Sequence, residues 1–293
     1  MRMGIDLGGT KIEGVVLSSK GIVLAKERVP TPQNYSAILD AIAELVARLE
    51  TSAGGRASVG LGGPGAESAV NGRMKNSNTQ CINGESLRED LSIRLRRIVR
   101  FSNDANCFAL SEAVDGAGAA YSSVFGVILG TGTGGGLVFN KQVLSGANGI
   151  AGEWGHTPMP NYREGRPCYC GSVDCVETYL CGAGLARSYS NAGGEAMLVP
   201  EIVKRADAGE ALANTVLDVY CRQLASALSV VINIVDPAAI VLGGGLSNIA
   251  KLYETVPLYW NDYVFSDRCV TKLLPAKYGD SSGVRGAAWL WGE

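Results

Sequence analysis

Residues 1–17 read MRMGIDLGGTKIEGVVL, and this stretch decides the fold. An apolar run ending in Asp6 and a second run, KIEGVVL, flank the turn residues Gly8, Gly9 and Thr10, which is the composition of strand, turn and strand. A third run, GIVLAKERV from Gly21, extends the hairpin pattern. The period then changes: Ile38, Ile42, Leu45, Val46 and Leu49 predict an amphipathic helix over 36–52, followed by a strand at 58–61. Ser86 with Glu89 reads as a capping box, opening a helix whose apolar face is Leu87, Leu91, Leu95 and Ile98. The strand VRFSN (99–103) leads into a helix starting near Asp104. From Ser123 the opening plan returns as an apolar strand, the loop GTGTGGG (130–136) and the strand GLVFN.

Beyond this repeat, residues 146–181 are rich in Gly, Pro and Cys and lack periodicity, so they read as an inserted functional loop. Glu210–Val235 carries a helical face of Leu217, Leu224, Leu228 and Ile232. The buried strand and glycines of AAIVLGGGLSN (238–248) and a closing helix, SGVRGAAWLW (282–291), follow. At 293 residues, 46% hydrophobic and 18% charged, the chain has the balance of a globular α/β protein with two lobes. A net charge of -2 offers no footprint for nucleic acid. The sequence has no uninterrupted run of 18 apolar residues, and the opening strand does not have the form of a secretory leader; a cytoplasmic protein without a membrane span is expected.

The three glycine clusters, Gly8-Gly9-Thr10, Gly130–Gly136 and Gly243–Gly245, each end an apolar strand, where open sheets present ligands. Glycine lets backbone N–H groups approach phosphate oxygens that a Cβ would keep away. Any one of them could be a plain hairpin turn, but three together point to phosphate. Gly130, Gly132 and Gly135 match a dinucleotide fingerprint by spacing, yet they lead into a strand rather than a helix, and Gly8-Gly9-Thr10-Lys11 lacks the spacing of a P-loop. Asp6, at the strand end before the first loop, suits a Mg²⁺ ion held through water, the alternative being a turn-forming aspartate.

Eight cysteines without a leader read as thiols or metal ligands. Cys81, Cys107, Cys181, Cys221 and Cys269 are scattered and are expected to be small buried side chains. His156, the only histidine, joins Cys168, Cys170 and Cys175 in an H-x11-C-x-C-x4-C array that would complete a tetrahedral, structural Zn²⁺ site. Free or disulfide-prone thiols are the alternative, and a DNA-binding finger is disfavoured because no basic helix accompanies the array. Glu153 and Glu177 flank it and would be fixed by the closed site.

IDLGGTK (5–11), GGPG (62–65), NDANCFALSE (103–112), LGTGTGGG (129–136), GEWGH (152–156), CYCGSVDCVE (168–177) and VLGGGLSN (241–248) occur in the order that characterises one family. The whole chain resembles the bacterial ROK sugar kinases, relatives of the hexokinase and actin folds. The resemblance implies a two-lobed, actin/hexokinase-like (ribonuclease H-like) fold with mixed sheets and an inserted zinc loop. The expected lobes are 1–115 and 116–281, with the helix at 282–293 returning to the first. It also implies ATP and Mg²⁺ as co-substrate and cofactor, a hexose as substrate and a homodimer.

By the same resemblance Asp6, Gly8, Gly9, Thr10 and Lys11 line the first phosphate loop, Thr131, Gly132 and Thr133 the second, and Gly244, Gly245 and Leu246 border the adenosine. Asn78, Asn103, Asp104, Glu153, His156 and Glu177 would hold sugar hydroxyls, with Asp104 the catalytic base and His156 serving metal and sugar through its two ring nitrogens. The sequence departs from the family pattern at Asp174, where a glycine is usual, and at Gly63, where an aliphatic residue is common; both read as local turn variation. GEWGHTPMP (152–160), NDANCFALSEAVDGA (103–117) and KYGDSSGVRGAAWLW (277–291) are most similar to the fructokinase and mannokinase branch, with fructose (and mannose) 6-phosphorylation the expected reaction. NDANCFALSE is shared with N-acetylglucosamine kinases, which stand as the alternative together with glucokinases. A sugar-responsive repressor is disfavoured because its helix-turn-helix would precede the first strand, and an actin-like ATPase because GEWGH and the cysteine array would be idle.

Overall fold

The computed structural model describes residues 1–292. Strands β1 (Arg2–Leu7), β2 (Lys11–Leu17) and β3 (Val23–Pro30) form an antiparallel meander, and β4 (Ser58–Gly63) and β7 (Val99–Asn103) extend it in parallel on the β1 side. The sheet order is β3-β2-β1-β4-β7, and a two-stranded ribbon of β5 (Ala66–Glu67) and β6 (Met74–Lys75) stands beside it. The second sheet, β10-β9-β8-β11-β12, repeats the plan with β8 (Ser123–Leu129), β9 (Thr133–Phe139), β10 (Gln142–Val143), β11 (Ala239–Gly243) and β12 (Lys272–Pro275). As in the first sheet, an antiparallel pair is followed by parallel strands.

Helix α1 (Tyr35–Ala53) covers the outer face of the first sheet, and all five residues of its predicted stripe are buried. The Oδ1 of Asn34 accepts the N–H of Ala37 at 2.9 Å to cap it, and Gly54 ends it at φ 78°, a left-handed conformation that costs glycine little. Helix α2 (Leu87–Leu95) begins after Ser86 as expected but departs from expectation in its cap bond and at its far end. The Ser86 hydroxyl makes no cap hydrogen bond, and Arg96 turns left-handed, leaving Ile98 outside the helix and 70% exposed.

The middle of the molecule is a helical layer shared by both sheets. Helix α3 (Asp104–Val114) packs on β8 and β9, and α9 (Ser282–Trp289) packs on β1, β4 and α3. Between the sheets Val15, Leu17, Phe108, Leu110, Val124, Val241, Val284 and Trp289 form one core. The outer face of the second sheet is covered by α4 (Glu177–Leu180), α5 (Gly182–Asn191), α6 (Val199–Asp207), α7 (Ala211–Val235) and α8 (Lys251–Tyr259). Helix α7 is long and apolar enough to cross a membrane, yet 67% of its most apolar window is buried in this core. Each of its buried aliphatic side chains, Leu217, Leu224 and Leu228 among them, contributes roughly 1.5–3 kcal/mol of burial.

The second glycine cluster is shorter as a loop than its sequence suggests. The turn occupies Gly130–Gly132, and Gly134–Gly136 already belong to β9. A Cβ on Gly136 would stand 2.8 Å from the carbonyl oxygen of Ala105, and one on Gly135 would stand 2.8 Å from the Trp154 ring. Those glycines serve the close packing of α3 and Trp154 on the sheet rather than a ligand.

Candidate active site

The sheet register brings the first two acids together. Asp6, at the end of β1, pairs with Gly62 of β4, and Gly62 pairs with Ser102 of β7, so two strand spacings, about 10 Å, separate Asp6 from the strand that leads to Asp104. Asn103 ends β7 and caps α3, its Oδ1 accepting the N–H of Asn106 at 2.9 Å. Asp104 is the first residue of α3, and its Oδ1 accepts the N–H of Ala105 at 2.8 Å. Its side chain is open to solvent yet ringed by protein, and the lost hydration holds its carboxyl above the ordinary aspartate value. Burial, reinforced by Asp104 and Glu13, pushes Asp6 up to about 6 against the pull of Lys11 and Arg28.

A raised, half-buried carboxylate is relieved by a cation, and a Cβ on the first-turn residue Gly283 would stand 3.7 Å from the Asp6 Oδ2, so the glycine leaves space there. Asp6 therefore fits a Mg²⁺ ion that keeps most of its water. Beside it Gly8, Gly9, Thr10 and Lys11 form the β1–β2 turn, closed by the Gly8 N–H donating to the Lys11 carbonyl at 2.9 Å. The Thr31 hydroxyl donates to the Gly8 carbonyl at 2.7 Å. The loop carrying Asn78 comes to this turn through the buried Thr79, whose Oγ1 lies 3.8 Å from the Cβ position on Gly9. Asn78 itself is exposed.

The other side of the site is built by the inserted loop. Glu177 opens α4, and its Oε2 accepts the N–H of Thr133 at 2.8 Å, joining the insert to the second glycine turn of Thr131, Gly132 and Thr133. Glu153 precedes a 3-10 turn that ends at His156. Desolvation, with Asp104 and Glu177 nearby, raises its carboxyl, while His156 opposes the shift. Asp6, Asp104, Glu153 and Glu177 thus form a file of acids, each within electrostatic reach of the next, between two glycine turns. Gly244, Gly245 and Leu246 follow β11, where Gly244 packs against the end of β8 and the Leu246 side chain lies 3.8 Å from the Cβ position on Gly182. Gly244 has φ 80°, and a Cβ there would be 2.4 Å from the Leu129 carbonyl. The Gly182 N–H, at the start of α5, donates to the Gly130 carbonyl at 2.8 Å.

His156, Cys168, Cys170 and Cys175 converge as the sequence predicts, with all four ligand atoms within 4.8 Å of one another. Cys168 Sγ is 3.6 Å from His156 Nδ1, and the Cys170 and Cys175 sulfurs are 3.6 Å apart. Sulfurs bound tetrahedrally at about 2.3 Å would be about 3.8 Å apart, so the donor set fits Zn²⁺ with no position left for water. The other ring nitrogen, Nε2, is met by the Tyr169 hydroxyl at 2.9 Å, a contact absent from the sequence reading.

Asp174 explains its own departure from the family glycine. It adopts φ 54°, the left-handed region that a glycine would fill, and its carboxylate accepts the N–H groups of Glu164 (3.2 Å), Gly165 (3.1 Å) and Arg166 (2.9 Å). The Tyr179 hydroxyl donates to it at 2.6 Å and, with those N–H groups, holds it down at about 2. The Arg166 guanidinium lies 4.0 Å from the Tyr179 ring centroid and donates to the Thr178 carbonyl at 2.9 Å. At Gly63 a Cβ would make only ordinary contacts at 3.6 Å, so an aliphatic residue would also fit. Cys107, Cys181 and Cys221 are buried as expected, whereas Cys81 and Cys269 are half-buried.

A model of the ROK family matches residues 2–293. An N-acetyl-D-glucosamine kinase of Photobacterium profundum is 42% identical over 299 aligned residues, covering 99% of each chain. The crystal structure of the ROK hexokinase from Thermus thermophilus superposes with a TM-score of 0.89 at 31% identity, covering 99% of this chain and 97% of that one. A ROK family glucokinase from Streptomyces griseus, solved with glucose and AMPPNP, gives 0.77 at 27% identity over 99% and 98%. With family model and relatives matching along almost its entire length, the chain belongs to the ROK family and has the α/β fold of its sugar kinases.

Proposed function

We propose that this protein transfers the γ-phosphoryl group of ATP to a hydroxyl of N-acetylglucosamine. The file of Asp6, Asp104, Glu153 and Glu177 between two glycine turns carries the reading, because it offers separate places for a phosphate tail and a polyol. The amino sugar is favoured by the Photobacterium profundum relative, which bears that name and matches end to end. The expectation of fructose and mannose gives way to it, since the motifs behind that expectation are in part common to both branches.

In this reading Asp104 accepts the proton of the attacking sugar hydroxyl, an assistance that contributes about 10²- to 10⁴-fold. Its raised carboxyl brings it nearer to the proton affinity a base needs at neutral pH. Asn78, Asn103, Glu153, His156 and Glu177 hold the sugar. The N–H groups of the turns at Gly8–Lys11 and Thr131–Thr133 hold the phosphates, and Gly244, Gly245 and Leu246 border the adenosine. A Mg²⁺ ion near Asp6 would supply charge neutralisation for the phosphates. The zinc loop serves as a frame that fixes His156 and Glu177. Lobes 1–115, with helix α9, and 116–281 close over the substrates and exclude water. A cytoplasmic homodimer is the accompanying expectation.

The test is an ADP-release assay with N-acetylglucosamine, glucose, mannose and fructose, backed by mass analysis of the product. The reading requires kcat/KM to be highest for N-acetylglucosamine. A higher value for fructose would return the substrate to the fructokinase branch, and turnover of none of them would end the kinase reading.

A further inference from the structure

Asp6 and Asp104 belong to different elements, and the elements between them meet through close contacts at glycines. Cys107, fully buried on α3, sits one turn after Asp104 on the same helix face. A Cβ on Gly62 of β4 would stand 3.1 Å from the Cys107 sulfur and 3.6 Å from the Ala287 Cβ of α9. A Cβ on Gly286 of α9 would stand 1.6 Å from the Cys107 carbonyl oxygen. The turn of α3 behind Asp104 is therefore seated on β4 and on α9 at once, with no glycine side chain between.

Both seats are locked to β1, the strand that carries Asp6. On β1 a Cβ at Gly4 would lie 1.9 Å from the Val284 carbonyl oxygen, and on β4 a Cβ at Gly60 would lie 1.8 Å from that of Ala287. Gly62 is also the register partner of Asp6. Contacts between backbone atoms have far less give than contacts through long side chains, because a close-packed interior transmits displacement instead of absorbing it.

We propose that the seam of Gly62 and Gly286 against Cys107 sets the gap between the Asp6 and Asp104 carboxylates, making the two glycines positioning residues for phosphoryl transfer. The inference rests on the kinase reading above. The attacking hydroxyl and the γ-phosphorus it attacks must line up closely, and a misplacement of about 1 Å can cost about 10²-fold in rate. Substrate contacts supplied by the glycine turns and the inserted loop lie outside the seam, so binding is left nearly intact when the seam is thickened.

Gly62→Ala is the discriminating variant, since the contact it creates with the Cys107 sulfur is tight by tenths of an ångström rather than impossible. Its expected signature is a kcat lowered by about 10-fold or more, with sugar and nucleotide dissociation constants within about threefold of native. Adding Cys107→Ala removes the opposing sulfur and should bring kcat back to within about threefold. Cys107→Val, thickening the seam from the helix side, should reproduce the kcat-selective loss. Native kcat in folded Gly62→Ala, or a loss that Cys107→Ala does not reverse, overturns the proposal. Crystal structures of native protein and Gly62→Ala supply a readout independent of turnover: an unchanged Asp6–Asp104 separation overturns the seam. An inactive native enzyme would instead count against the kinase reading.

Discussion

The Tyr169 hydroxyl stands 2.9 Å from Nε2 of His156, with the two rings edge to face at 88° and their centroids 5.1 Å apart. The imidazole nitrogen turned away from the sulfur cluster, the one a sugar hydroxyl would need, is thus already engaged by a side chain that is 83% exposed. A sugar reaching Nε2 must displace that hydroxyl. Tyr169→Phe removes the competitor, and a hydrogen bond of about 0.5–1.5 kcal/mol corresponds to a sugar KM lowered by about 2- to 10-fold. The zinc content and kcat should stay near native. A KM that rises would show that the hydroxyl helps hold the sugar instead.

Asp104→Asn keeps the shape of the side chain and its acceptor for the Ala105 N–H while removing the proton acceptor. The expected result is a kcat lower by about 10²- to 10⁴-fold with sugar affinity, measured by calorimetry, close to native. Because crowding raises the native carboxyl, the acid limb of kcat/KM should lie above the ordinary aspartate value. Near-native turnover in the asparagine variant would remove Asp104 from the role of base.

Asp6 supplies a stability prediction whose sign is opposite to that of a salt-bridged carboxylate. Its value rises from 3.8 to about 6 on folding, so its favourable contribution is complete below 3.8 and is lost as pH climbs to about 6. At pH 7.5, without magnesium, Asp6→Asn should therefore be more stable than native, by at most about 3 kcal/mol. The advantage should disappear below pH 4. Denaturant melts at both pH values check this, and a variant less stable at pH 7.5 would contradict it.

Cys170→Ala should abolish stoichiometric zinc, as read by elemental analysis. Cys175 lies two residues before Glu177, and Glu177 holds the Thr133 N–H, so disorder in the metal loop reaches both the sugar side and the second glycine turn. Activity should fall by roughly 10- to 100-fold, the usual cost when residues that support a site lose their frame. Native protein that contains no zinc after expression in zinc-replete medium would contradict the assignment.

The paired sheets, the stripe of α1 and the convergence of His156 with three cysteines were legible because each rests on a local signal: period, turn chemistry or ligand spacing. The far end of α2 was not, since Ile98 only resembles a fourth stripe position; Ser86 does stand at the N-cap, though without the hydroxyl bond of a capping box. Glycine misled in one place for a physical reason. A residue without a Cβ admits a phosphate or a packed helix equally well, and only the structure separates Gly132, in the turn, from Gly136, pressed against Ala105. Tyr169 and Cys107 stand inside quoted motifs, yet their roles could not be read there, because those roles come from contacts with residues distant in sequence.

Helix α9 has a consequence for how the molecule is made. Gly4 and Gly60 of the first sheet are covered by Val284 and Ala287, which lie far later in the chain. The inner face of the first sheet is therefore sealed by a contact of very high sequence separation, which is slow to form. Until α9 docks, Asp6 and Asp104 are joined only through the sheet and the Gly62–Cys107 contact, so the nucleotide-handling geometry is expected to be completed late in folding.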